Sequence, residues 1–291
     1  MSTLVKSRLT NRRRPSDLTR AARQTTAPRA KAVVLAGKTI ATEPAATRDK
    51  THPSGLQEPA TRLLIARNLV KGAIFNQRVA LLNLCRKMVN PPPSEFLGLR
   101  LLQLMTDAGH ALSLPTLKEL YLQAEALCEN VVLEHLEGLL LDGCQGDVPA
   151  RAVCELLQAA RDTLREDCRL LLVESGLDTT MGILHADDHA LATDLAMVFR
   201  PLIADAAVLR LLQLRQITSR DLDLEAGCCQ LTQHGRKKVD QAVDKQLHML
   251  APSALPGIRH AFASVLKDQI ASLGAYLRGE EEVLKVYLCA G

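Results

Sequence analysis

The 291-residue chain has no tryptophan and only three tyrosines and four phenylalanines, so aromatics make up 2% of it while 47% is hydrophobic. A full core must then be built mostly from Leu, Ala and Val, and a core of that kind favours helices. CxxC spacing is also missing. The eight cysteines (Cys85, Cys128, Cys144, Cys154, Cys168, Cys228, Cys229 and Cys289) are scattered through helical segments, so a zinc site has little support and they read as reduced, small core residues. No uninterrupted apolar stretch reaches the ~20 residues that cross a bilayer, and no signal peptide opens the chain. The expectation is a cytoplasmic protein that does not engage membrane. A single aromatic, Phe75, falls within the basic stretches, which gives base stacking little support as a mode of nucleic-acid binding.

What the chain does have is helical periodicity. Runs such as ATRLLIARNLVKGAIFNQRVALLNLCRKMV and AAVLRLLQLRQI repeat apolar residues at spacings of three and four. The pattern predicts a mainly α protein with helices over 59–89, 94–110, 115–142, 150–174, 189–215, 232–250 and 256–278, and a loop over 175–188. Asn90-Pro91-Pro92-Pro93 is the firmest break, because three prolines cannot continue a helix. The net charge of +4 is unevenly spread: residues 1–50 hold 12 Lys or Arg against 3 acids, leaving the remainder at −5. Residues 1–58 read as a basic arm with one short strand, KAVVLAGKTI, and a polar linker, and residues 59–291 as the helical domain. Such an arm either attracts a phosphate backbone by counterion release or is a solvated tail.

The stretch from Ser175 to Leu231 carries the most specific pattern. It contains Gly176-Leu177-Asp178, Gly182 to His185, Asp194-Leu195 and Phe199-Arg200-Pro201, followed downstream by LTQHGRKKVDQAVDKQL and LRGEEEVLKVYL. Upstream lie LEHLEGLLLD, with Glu137, and IARNLVKGAIFNQRVALL. In this order the segments resemble the adaptation endonuclease and integrase family of CRISPR systems, over residues 60–288.

The resemblance implies a multi-helix domain in which Glu137, His185 and an acid, here Asp194, bind one Mg²⁺ or Mn²⁺, hard cations suited to carboxylates and one imidazole. It implies a metal-dependent DNA endonuclease and strand transferase that inserts short DNA fragments into a repeat array. The implied partners are double-stranded DNA, the family's small ferredoxin-like subunit and a second copy of the chain. Arg67, Lys71 and Arg78, at spacings of four and seven on one helix, form a basic stripe that can follow a DNA backbone, and Arg200, Arg236 and Lys237 are further DNA-binding candidates. The chain departs from the family pattern at Met197, which falls where a third carboxylate ligand is expected, and at Cys154 and Arg161, which stand for Asn and Tyr. The N-terminal β domain is short or missing. A site can still assemble from Glu137, His185 and a re-aimed Asp194, or with Asp187 or Asp188 from the loop; a catalytically impaired relative acting as a DNA-binding or structural subunit is the alternative reading.

Overall fold

The computed structural model describes residues 58–139, 148–223, 229–252 and 260–290, apart from the side chains of Glu137, Gly138, Val148 and Pro149. The basic arm, the strand expected at KAVVLAGKTI, and Cys144 and Cys228 lie outside the described residues.

Eight helices carry most of the described chain: α1 Pro59–Cys85, α2 Ser94–His110, α3 Leu114–Leu139, α4 Val148–Glu174, α5 Ala190–Phe199, α6 Ala204–Gln213, α7 Gln233–Leu247 and α8 Phe262–Leu277. The mainly α expectation holds. A two-residue antiparallel pair, β1 Leu222–Asp223 with β2 Gln230–Leu231, sets Leu222 opposite Leu231. It is too short to leave a period-two signature in the sequence.

The core is centred on α1, which packs against α2, α3 and α5. Pro59 opens it at a position where the missing N–H costs nothing. Ile65, Ala66, Leu69, Val70, Ala73 and Ile74 are fully buried, so the apolar surface wraps most of the helix rather than forming one stripe. This changes the reading of its basic residues. Lys71 is exposed, but the Arg67 guanidinium donates to the Ala111 carbonyl at 2.7 Å and that of Arg78 donates to the Gly98 carbonyl at 3.0 Å. Two of the three cations thus tie α1 to the segments beside it.

The expected single helix over 189–215 is two. Pro201 has no N–H to continue the ladder and its ring crowds the carbonyl one turn back, so α5 stops at Phe199 and α6 starts at Ala204. Glycine ends two other helices. Gly176, at φ +75°, sends its N–H to Val173 while that of Leu177 reaches Leu172, and Gly279, at φ +73°, does the same at the end of α8. This paired pattern caps the last carbonyls and demands a left-handed residue, which is the physical content of the Gly176-Leu177-Asp178 and Leu277-Arg278-Gly279-Glu280 motifs. A third helix, α6, ends in the same pattern with Arg215 at φ +51°.

Candidate active site

The loop between α4 and α5 folds onto the first turns of α5, and its shape follows from two residues. Gly182 has no room for a side chain: an added Cβ would lie 2.1 Å from the His185 carbonyl oxygen and 2.2 Å from the Ala190 Cβ. That close approach turns the amides of residues 183–185 toward Asp194. Asp194, with no exposed surface, accepts from the backbone N–H groups of Ile183, Leu184 (3.1 Å) and His185 (3.3 Å). It also accepts from His185 Nδ1 at 2.7 Å. A buried carboxylate must be met by donors, and here the loop and the imidazole supply them. With Nδ1 donating, Nε2 is the nitrogen left to act as a ligand or base.

Asp194 therefore positions His185, and its oxygens are already engaged by the loop. Arg62 on α1 holds the same loop by donating to the Ile183 carbonyl at 3.0 Å. His185 itself, with its side chain 24% exposed, lines two hollows. One is an open depression of about 670 Å³ against α1 and the α2–α3 turn. The other is a smaller cavity of about 210 Å³ among α3, α4 and α5, which Glu125, Arg161, Met197 and Arg200 also line.

The donor set around the small cavity does not complete a hard-cation site. Met197 is buried, and its thioether is a poor ligand for Mg²⁺ or Mn²⁺. Glu125 is the α3 carboxylate at the cavity, and it is ion-paired with Arg200. Glu137 sits twelve residues farther along α3 than Glu125, about 18 Å at 1.5 Å per residue. Among the described residues no three His, Cys, Asp or Glu side chains are grouped as a metal centre. Asp187 is taken up locally, accepting from the His189 N–H at 2.9 Å and the Thr193 hydroxyl at 3.3 Å.

Beside the cavity lies a partly buried charge cluster that sequence reasoning missed. Arg161 donates to Glu129 and to Asp205, each at 3.0 Å, and Arg200 pairs with Glu125, Glu129 (3.8 Å) and Asp205 (3.6 Å). Burial pushes the neighbouring Tyr121 hydroxyl up from its ordinary range, partly offset by Arg200. The available signal was Glu125 and Glu129, one turn apart on an apolar helix. Arg200 is thus engaged by three carboxylates. Of the other basic candidates Lys237 is exposed, while Arg236 donates to Asp240 and Thr163, each at 3.2 Å.

The downstream L-T-x-x-G-R pattern is also structural. Thr232 caps α7 by accepting from the Gly235 N–H, and a Cβ on Gly235 would lie 2.3 Å from the Asp221 carbonyl oxygen. Among the cysteines Cys85, Cys168 and Cys289 are buried as expected, but Cys154 is exposed on α4.

A family model described as CRISPR associated protein Cas1 matches residues 45–245. A Cas4 exonuclease/Cas1 endonuclease fusion from Geobacter sulfurreducens is 28% identical over 240 residues, covering 77% of this chain and 42% of that protein. Among solved structures, a casposase bound to integration product superposes with TM-score 0.63 at 18% identity, covering 81% of this chain and 69% of that one. A chain of a partial Cas6-RT-Cas1–Cas2 complex superposes at 0.66 and 17%, covering 81% and 71%. The chain spans about two fifths of the length of the curated relatives it matches. The family match covers more than half of the sequence, in the region where the glycine turns, the oriented histidine and the Phe199-Arg200-Pro201 break occur. The chain belongs to the Cas1 family of CRISPR-associated proteins.

Proposed function

We propose that the chain works in CRISPR spacer integration as an integrase-fold subunit that binds double-stranded DNA in the cytoplasm, beside the small ferredoxin-like subunit and as a homodimer. The observation that carries this reading is the Asp194–His185 pair, which holds an imidazole with Nε2 available at the mouth of two hollows. The likeness to a casposase bound to integration product and to a chain of a Cas1–Cas2 complex supports the DNA and small-subunit partners. Lys71 and Lys237 are the exposed cations of the predicted set and are assigned phosphate contacts, with Arg67, Arg78 and Arg236 as secondary ones.

Metal-dependent endonuclease or strand-transfer activity through Mg²⁺ or Mn²⁺ is the finer reading, with Glu137 and His185 as ligands and Asp194 behind His185. A second reading, a catalytically impaired subunit, is favoured by Met197 at the third-ligand position and by the engagement of Glu125 with Arg200. One experiment separates them. The full chain is incubated with branched double-stranded DNA and Mn²⁺, measuring binding and strand transfer together. Binding without strand transfer, with transfer appearing in Met197→Glu, supports the impaired subunit. Transfer by the parent that disappears in His185→Ala and Glu137→Ala establishes the enzyme. Failure to bind DNA at all sinks both.

A further inference from the structure

Arg161 and Arg200, which line the small cavity at His185, also line a larger one of about 360 Å³, walled by α1, α3, α6 and the segment after α7. Its lining is mostly apolar, with Leu84, Val132, Leu136, Leu209 and Phe262 contributing. Of its charged lining, Glu129, Arg161, Arg200 and Asp205 are paired with one another, and Lys87 is exposed. One polar group in the lining is unsatisfied. Gln77 is 4% exposed, and its side-chain oxygen meets no hydrogen-bond partner among the described residues.

A buried amide oxygen without a donor is costly; in this structure that oxygen is closed to solvent, and the broad terminal torsion of Gln lets it turn to meet a donor in the cavity. Binding pockets of small molecules have this size and composition, an apolar hollow with a few polar groups that fix orientation. From this juxtaposition we propose that the cavity is a binding site for a compact, neutral, apolar molecule bearing one N–H or O–H donor, which pairs with Gln77. The site is separate from the proposed DNA chemistry and does not depend on it.

The test uses the full chain and two probes, indole and 1-methylindole, which differ by the single donor. Binding is followed by NMR titration and by the shift in melting temperature. The parent is expected to bind indole several-fold tighter than 1-methylindole. Gln77→Leu removes the difference while both probes still bind. Ala206→Phe, at a half-buried position that lines the cavity, fills it and weakens both probes at least tenfold. If neither probe binds the parent, or both bind it equally, the proposal is overturned. Unchanged binding to Ala206→Phe overturns it as well, because the probes would then sit elsewhere.

Discussion

Asn76 in the middle of α1 and Cys289 near the end of the described chain are joined by a 2.8 Å hydrogen bond, from the Cys289 N–H to the Asn76 side-chain oxygen. The other end of the same buried amide donates to the Val198 carbonyl at 2.9 Å and the Tyr287 carbonyl at 3.1 Å. Gln269 on α8 repeats the device, donating to Lys285 and accepting from Tyr287, each at 2.8 Å. Two side-chain amides thus meet backbone groups of Lys285, Tyr287 and Cys289 in a tail that pairs with no strand among the described residues. The Tyr287 ring stacks on Phe199, 5.8 Å between centroids.

Asn76→Ala leaves three buried backbone groups without partners and is expected to destabilise the chain by about 3 kcal/mol or more. Urea denaturation of parent and variant measures this. A loss below 1 kcal/mol shows that the tail is held by its packing alone.

Asp194→Asn keeps an oxygen for the loop amides but can donate to the imidazole, so the His185 proton is expected to move from Nδ1 to Nε2. Nitrogen chemical shifts of labelled histidine report the tautomer. An unchanged tautomer refutes the positioning role of Asp194.

Gly176 and Gly182 separate two reasons for glycine. Gly176 has a positive φ and open space around its missing Cβ, so Gly176→Ala is expected to cost about 1 kcal/mol of backbone strain. At Gly182 the Cβ meets backbone, and Gly182→Ala is expected to cost more and to displace His185. Equal costs, with the His185 resonances unmoved, contradict the distinction. By the same logic Arg215→Gly, which relieves a positive φ, is expected to raise stability by up to about 1 kcal/mol.

Asp167 makes stability depend on pH near neutrality. Burial, with Asp244, Glu166 and Asp240 nearby, pushes its carboxyl up to about 7. A group whose folded pKa is raised contributes stability that is fully present below its unfolded value near 4, and that is lost as pH rises through about 7. Asp167→Asn is therefore expected to be more stable than the parent at pH 8, by about 1–2 kcal/mol after solvent screening, and so to melt higher, with a smaller gap at pH 4. Thermal scans at both values check the sign.

Helix content, the three-proline break and the order of the glycine and histidine motifs were set by local sequence, because backbone sterics and apolar periodicity act over a few residues. Gly176, Gly182 and Gly279 mark places where a Cβ is strained or excluded, so they were visible as motifs before their reason was. Tertiary structure decided the rest. Spacing along the chain did not show that the loop amides converge on Asp194, or that α3 and α6 bring Glu125, Glu129 and Asp205 around Arg200. Glu137 shares a helix with Glu125, yet helical rise alone separates the two by about 18 Å. Which carboxylate meets which cation depends on how distant helices pack, and that information is not carried by spacing along the chain.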